Sequence, residues 1–243
     1  MRIALLSDVH ANLAALDAVL AHAEADGAEG AWHAGDLVGY GPDPDEVITR
    51  LQEIGAACVI GNHDAAVAGL IGTEEFNVLA AAASAWTAER ISAEGKAFLA
   101  ALPEVERDGS YTRVHGTLRD PVWEYLVTYE AARAHFDLQE TTHSVVGHTH
   151  LPLVVWETAP GEMDALRPED GTVFELGDRR CCINPGGVGQ PRDGDPRACY
   201  ALLDTGAGTV TFRRVPYDIA ATQRRMIELG LPEALANRLA RGR

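Results

Sequence analysis

Five apolar runs in the first 150 residues each stop at a side chain able to bind a metal or a proton. Residues 3–6 run into Asp8 and His10, and a short stretch at 30–33 runs into Gly35 and Asp36. Residues 56–60 lead to Gly61, Asn62, His63 and Asp64. Residues 111–114 lead to His115 and Gly116, and 144–146 to Gly147, His148, Thr149 and His150. Between the first three runs lie helical patterns at 13–25, with Leu13, Leu16 and Leu20 on one face, and at 44–54. Asn12 stands where a helix cap is expected. This alternation of strand and helix implies a parallel sheet with right-handed crossovers. In open sheets of that kind, ligands bind beyond the carboxyl ends of the strands.

The rest of the chain is built differently. Residues 65–102 are alanine-rich and helical in character, with 92–102 the clearest helix and Pro103 behind it. They read as an insertion between strands, a candidate helical cap. Strands at 104–107 and 111–114 are expected next, then a helix at 129–136. Beyond residue 150, strands at 153–157, 172–176, 180–183, 198–203 and 209–215 follow one another without helices, punctuated by Gly171, Gly206 and Gly208. That order implies a second, mostly antiparallel sheet. Helices at 219–229 and 232–240 close the chain. No repeat, low-complexity segment or linker divides it, so residues 1–243 read as one layered domain.

Composition narrows the function. Hydrophobic residues make up 47% of the chain, enough for a sizeable core. No segment has the apolar length of a membrane helix, and the run after Arg2 meets Asp8 too soon for a signal peptide, so the expected location is the cytoplasm. A net charge of -16 repels a phosphate backbone and argues against non-specific nucleic-acid binding. Bound cations would reverse that sign locally. Cys58, Cys181, Cys182 and Cys199 show no CxxC spacing and are expected as small buried side chains.

An aspartate after a strand is commonly a helix cap, and a lone histidine is commonly a partly buried core residue. Such readings do not explain five strand ends of the same kind. Carboxylate, imidazole and amide oxygen together suit Mn, Fe, Zn, Co or Ni, not the all-oxygen sites typical of Ca. His22, His33, His135 and His143 lie outside these motifs and need no chemistry.

The series D-x-H, GD, GNHD, H and GHTH across residues 8–150 resembles the calcineurin-like metallophosphoesterase superfamily. INPGGVGQPRDGDPRACYALLD at 183–204 is similar to the NPGSVGQPR segment of a bacterial and archaeal branch, the YfcE-like or protein-phosphatase-like phosphodiesterases. Gly187 replaces the branch's usual serine and Ala11 its usual glycine, neither at a ligand position. The resemblance implies an α/β (α+β) fold, a four-layer β-sandwich of two mixed sheets flanked by helices. It implies one metal on Asp8, His10 and His150, another on Asn62, His115 and His148, and Asp36 bridging both. The implied cofactor is a pair of divalent transition metals, manganese first, with Fe, Zn, Ni or Co as alternatives.

The implied activity is a metal-dependent phosphoric ester hydrolase, a phosphodiesterase or phosphatase, acting on a small phosphate ester. On that resemblance, a hydroxide bridging metals about 3.5–4 Å apart would attack phosphorus in line. His63 would be the general acid, oriented by Asp64, which in some relatives orients the position of His10 instead. Asn12 and Arg192 are candidate phosphate contacts, with a surface ion pair to Asp193 the plain alternative for Arg192. A protein or diadenosine-polyphosphate phosphatase of the same superfamily is the second reading, because selectivity would lie in the walls at 65–102 and 118–128. A non-catalytic metal-stabilised scaffold is the third, disfavoured because every ligand position is filled.

Overall fold

Parallel pairing of the first strands follows from the helices that connect them. In the computed structural model, which describes residues 1–243, β1 (Arg2–Leu6), α1 (Leu13–Ala25), β2 (Gly30–His33), α2 (Pro44–Glu53) and β3 (Ala57–Cys58) form a parallel unit. α3 (Asn62–Val67), α4 (Val78–Arg90) and α5 (Ala93–Ala100) come next. β4 (Val105–Asp108), β5 (Tyr111–Val114), α6 (Tyr129–Leu138) and β6 (His143–Val145) follow. Then come β7 (Leu153–Ala159), β8 (Glu162–Leu166), β9 (Val173–Glu175), β10 (Cys181–Asn184), β11 (Ala198–Asp204) and β12 (Thr209–Val215). α7 (Ile219–Glu228) and α8 (Glu233–Leu239) complete the chain.

The strands form two mixed six-stranded sheets, ordered β3-β2-β1-β11-β12-β9 and β4-β5-β6-β10-β7-β8. β1 is central to the first, parallel to β2 and antiparallel to β11, with Ile3 opposite Leu203. β6 plays the same part in the second, parallel to both β5 and β10. Because strand side chains alternate, Ile3 and Leu5 enter the core between the sheets with Ile183, Ala201 and Phe212. Ala4 and Leu6 face the other way, onto Leu16 and Val19 of α1 and Leu51 of α2. On the far side, α6 buries Ala132 and Phe136 against Val114 and Val155 of the second sheet. Helices, sheet, sheet and helices give the four layers implied by the family resemblance.

Four details depart from the pattern expected above. The strands after residue 150 do not make a sheet of their own: β9, β11 and β12 join β1, β2 and β3, while β7, β8 and β10 join β4, β5 and β6. β3 is only two residues long, because the chain peels away and the Ile60 N–H donates to Pro103 O at 2.9 Å. β8 is unexpected: it is a short acidic edge strand of five residues that pairs only with β7 and is largely exposed. The stretch at 65–102 also splits in two. Leu99 of α5 is buried in the outer core beside α1 and α2. α4, capped by Asn77, packs Ala80 and Ala83 against Leu235 and Leu239 of α8. All four cysteines are free and buried. No helix is long and apolar enough to cross a membrane.

Candidate metal centre

The carboxyl ends of β1, β2, β3, β5 and β6 converge, and the polar residues that follow them meet there. Asp8, His10, Asp36, Asn62, His115, His148 and His150 are all buried. The backbone is bent to bring them in. Every non-glycine residue with positive φ in the chain belongs to this region: Asp8, His10, Ala11, Asp36, Tyr40, His148 and His150, with φ between 50° and 65°. Each costs on the order of 1–3 kcal/mol, and such strain collects where surrounding structure over-determines it. Ala11 sits at φ 52°, which explains the glycine usual at that position in the related branch.

The ligand atoms fall into two groups that share one residue. Asp8, His10, Asp36 and His150 form the first, and Asp36, His115 and His148 the second, each with its ligand atoms within 4.8 Å of one another. In the first, His150 Nε2 lies 3.3 Å from Asp8 Oδ1 and 3.2 Å from His10 Nε2. In the second, His115 Nε2 lies 3.1 Å from His148 Nδ1 and 3.2 Å from Asn62 Oδ1. Asp36 Oδ2 reaches both, at 3.6 Å from His10 Nε2 and 3.3 Å from His115 Nε2. Its other oxygen, Oδ1, is taken by the His63 N–H at 2.9 Å.

The remaining ring nitrogens fix the tautomers. His10 Nδ1 meets Val38 O at 3.1 Å, His115 Nδ1 meets Ala34 O at 2.8 Å, and His150 Nδ1 meets Gln190 O at 2.5 Å. His148 Nε2 meets Trp123 O at 3.0 Å. A carbonyl only accepts, so each of these nitrogens carries the hydrogen, and the opposite nitrogen presents a lone pair. His10 and His150, and again His115 and His148, therefore point lone pairs at each other across little more than 3 Å. Carboxylate and amide oxygens surround them. An all-acceptor cluster of this kind fits a cation, and the carbonyl-anchored rings are the usual outer support of metal-bound histidines.

Charge states follow from burial and from this acceptor field. Burial pushes Asp8 up to about 7. It pulls His148 down to about 3 and His63 to about 4, and holds His10 and His150 well below the usual imidazole range. Burial works against a charged His115 too, but the Asp36 charge and hydrogen bond outweigh it and raise His115 to about 9, so without a cation its Nε2 holds a proton that a bound metal would displace to free the lone pair. Asp36 resists its own burial through the imidazoles around it, His115 foremost, and stays well below the ordinary carboxylate value.

Two expected roles need correction. Asp64 does not orient His63 or His10: its carboxylate accepts the main-chain N–H groups of Asp36, Leu37, Val38 and Gly61 at 2.9–3.2 Å. The His63 ring instead meets the Ser84 hydroxyl through Nδ1 at 3.2 Å. Asn12 has little left to offer a phosphate. Its oxygen accepts from Ala15 N and Thr222 Oγ1, and its amide donates to Gly189 O and Tyr217 Oη. Arg192 does line the site, and the ion pair with Asp193 does not form, because Asp193 pairs with Arg214.

A cavity of about 70 Å³ opens over the cluster, walled by Asp36, His63, Phe76, Trp123, Tyr125 and Arg192 among others. Tyr125 stacks on His148 with ring centroids 3.9 Å apart. Sequence patterns did not point to Tyr40, whose ring packs 4.7 Å from that of His10 and 4.4 Å from that of His63. They also missed the part played by Asn184. Its amide donates to Gly147 O at 2.7 Å and Thr149 Oγ1 at 3.0 Å, which ties the 183–192 loop to the loop bearing His148 and His150.

Residues 1–208 match the profile of the calcineurin-like phosphoesterase superfamily domain. An uncharacterised protein of Methanocaldococcus jannaschii is 35% identical over 99% of this chain and 98% of its own length. The crystal structure of a metallophosphoesterase from Sphaerobacter thermophilus is 46% identical, with a TM-score of 0.91 over 100% of this chain and 99% of the other. A hypothetical protein of Pyrococcus horikoshii shares the fold at 22% identity, with a TM-score of 0.82 over 100% of this chain and 98% of its own.

Proposed function

The chain belongs to the calcineurin-like phosphoesterase superfamily, and from that premise we propose that its acceptor cluster holds two divalent cations for the hydrolysis of a small phosphate ester. The observation that carries this reading is the convergence of four carbonyl-anchored imidazole lone pairs on the shared oxygen of Asp36. One cation would rest on Asp8, His10, Asp36 and His150, the other on Asp36, Asn62, His115 and His148. When bound, such ions supply Lewis acidity and lower the pKa of a water.

The protein's own groups supply the rest. His63 is engaged by Ser84 at Nδ1, so donation to the leaving oxygen falls to Nε2, with the anionic ester raising the ring from the low value that burial gives it. Arg192, on the cavity wall, is suited to a phosphoryl oxygen. Asp64 fixes the loop that carries Asp36. The aromatic wall of Phe76 and Trp123, with centroids 5.0 Å apart, excludes water and favours an ester with a flat or apolar group. We place the protein in the cytoplasm and favour manganese.

The test is hydrolysis of bis-p-nitrophenyl phosphate and p-nitrophenyl phosphate by metal-stripped protein given back Mn, Fe, Zn, Co or Ni, alongside elemental analysis. Turnover with two ions per chain is expected. Two bound ions and no turnover of either ester would instead favour a metal-stabilised scaffold.

A further inference from the structure

Ser84 and Thr87 lie about a turn apart on α4, both buried, and they use their hydroxyls differently. Thr87 Oγ1 donates to the Ala83 carbonyl at 3.0 Å, the back-bond to the preceding turn that a helical hydroxyl ordinarily makes. Ser84 makes no such bond. Its hydroxyl leaves the helix for His63 Nδ1, 3.2 Å away, and has no other partner. The residues beside it hold α4 where this contact is possible: Ala80 and Ala83 pack against Leu235 and Leu239 of α8.

A buried hydroxyl hydrogen without an acceptor is costly. The one acceptor within reach of Ser84 is Nδ1, and Nδ1 accepts only when the hydrogen of the neutral ring sits on Nε2. In the opposite tautomer Nδ1–H would donate to Ser84 and leave the serine hydrogen with nothing to bind. Tyr40 and Phe76 hold the ring in place, with centroids 4.4 and 4.7 Å from its own. Nδ1 is the only His63 ring nitrogen with a hydrogen-bond partner, and the residue lines the cavity over the acceptor cluster with Asp36 and Arg192.

We propose that Ser84 is a positioning residue for His63: its hydroxyl donates to Nδ1, fixes the neutral ring as the Nε2–H tautomer and presents that hydrogen to a substrate oxygen in the cavity. When the ring charges, rotation of the same hydroxyl lets it accept from Nδ1–H, so one side chain serves both proton states. The part this gives Ser84 in chemistry rests on the hydrolase reading above. It also gives α4, braced by α8, a share in that chemistry which no sequence motif marks.

The test is a long-range proton–nitrogen correlation spectrum of the imidazole rings, with zinc in excess as a diamagnetic ion, at about pH 8, above the usual imidazole value. His63→Gln identifies the His63 signals. In the parent, Nε2 is expected in the protonated range and Nδ1 in the unprotonated one. In Ser84→Ala the two should move toward each other as both tautomers populate, and Ser84→Thr should restore the parent pattern. With manganese, Ser84→Ala should lower kcat for an alkyl phosphate ester about fivefold, leave KM in place and affect p-nitrophenyl esters less, with Ser84→Thr again recovering the loss. The parent spectrum alone decides the tautomer if neither variant folds. Nδ1 protonated in the parent, signals unmoved in Ser84→Ala, or parent-like alkyl-ester rates in that variant overturn the assignment. The expected spectra in a protein that hydrolyses no ester keep Ser84 as the partner that fixes His63 and remove the hydrolase. Turnover by a parent protein with Nδ1 protonated does the reverse.

Discussion

The carboxylate of Asp64 holds the main chain of Asp36, taking its N–H at 2.9 Å along with those of Leu37 and Val38 in the same loop. Burial and the nearby Asp36 charge push Asp64 up to about 7, against the pull of these donors. Asp64→Ala leaves several buried N–H groups unpaired and is expected to cost about 3 kcal/mol. Urea unfolding and manganese titration should both register the loss, with activity recovered at high metal. A variant with unchanged unfolding and metal affinity would deny Asp64 this anchoring part.

Asp36 should be the least replaceable ligand, because Oδ2 faces both groups. Asp36→Ala is expected to lower bound metal toward one or zero per chain and activity by at least about 10²-fold. Elemental analysis finding two retained ions would remove it from the bridging position.

His63 should act on chemistry and not on metal retention. His63→Gln is expected to keep both ions and to lose on the order of 10²–10⁴-fold in rate with alkyl leaving groups. The loss should be smaller for p-nitrophenyl esters, which need less protonation. Equal losses across leaving groups would argue against proton donation.

Gly61 touches Asp36 so closely that a side chain there has no room. An added Cβ would lie 2.1 Å from Asp36 Oδ1 and 2.4 Å from its N. Gly61→Ala should therefore displace Asp36, cost about 1–3 kcal/mol and weaken manganese binding. Parent-like metal affinity in that variant would show that the loop yields at no expense to the site.

His135 gives a pH signature remote from the cluster. Burial lowers it to about 4; it accepts the Leu118 N–H at 3.1 Å and meets Ser144 Oγ at 2.8 Å. Its folded value lies below the unfolded one of about 6.5. The neutral ring therefore contributes full stability above pH 6.5, and that contribution shrinks as pH falls toward 4, by up to about 3 kcal/mol. Urea midpoints should show the gap between parent and His135→Gln narrowing from pH 7 to pH 5. A constant gap would mean His135 titrates alike folded and unfolded.

What could be read in advance was what is local. Asp8, Asp36, Asn62, His115 and His148 each follow a strand by a few residues, so apolar runs located them and sheet topology gathered them. Tyr40 escaped because it is a lone aromatic in a turn whose contacts come from distant loops. The carbonyl of Gln190, which orients His150, belongs to the backbone and leaves no trace in residue identity. Asp64 looked like a partner for its neighbour His63, yet its four bonds go to main-chain groups, three of them near Asp36. The edge strand β8 pairs on one side only, and its alternation of Glu162, Met163, Asp164 and Ala165 is too short and too acidic to stand out from a turn.

Each cation group draws on both sheets. Asp8, His10, Asp36 and Asn62 follow strands of the first, and His115, His148 and His150 follow strands of the second. Neither half of the sandwich holds a complete set, so ion binding at the proposed centre would be thermodynamically linked to sheet docking. A ligand at a hundred times its Kd adds about 2.7 kcal/mol to whatever state binds it, and here that state is the closed pair of sheets. Chelation would thus spend its effect on the seam between β1 and β6 before it reached the interior of either sheet, and amide exchange should quicken first in the loops that cross that seam.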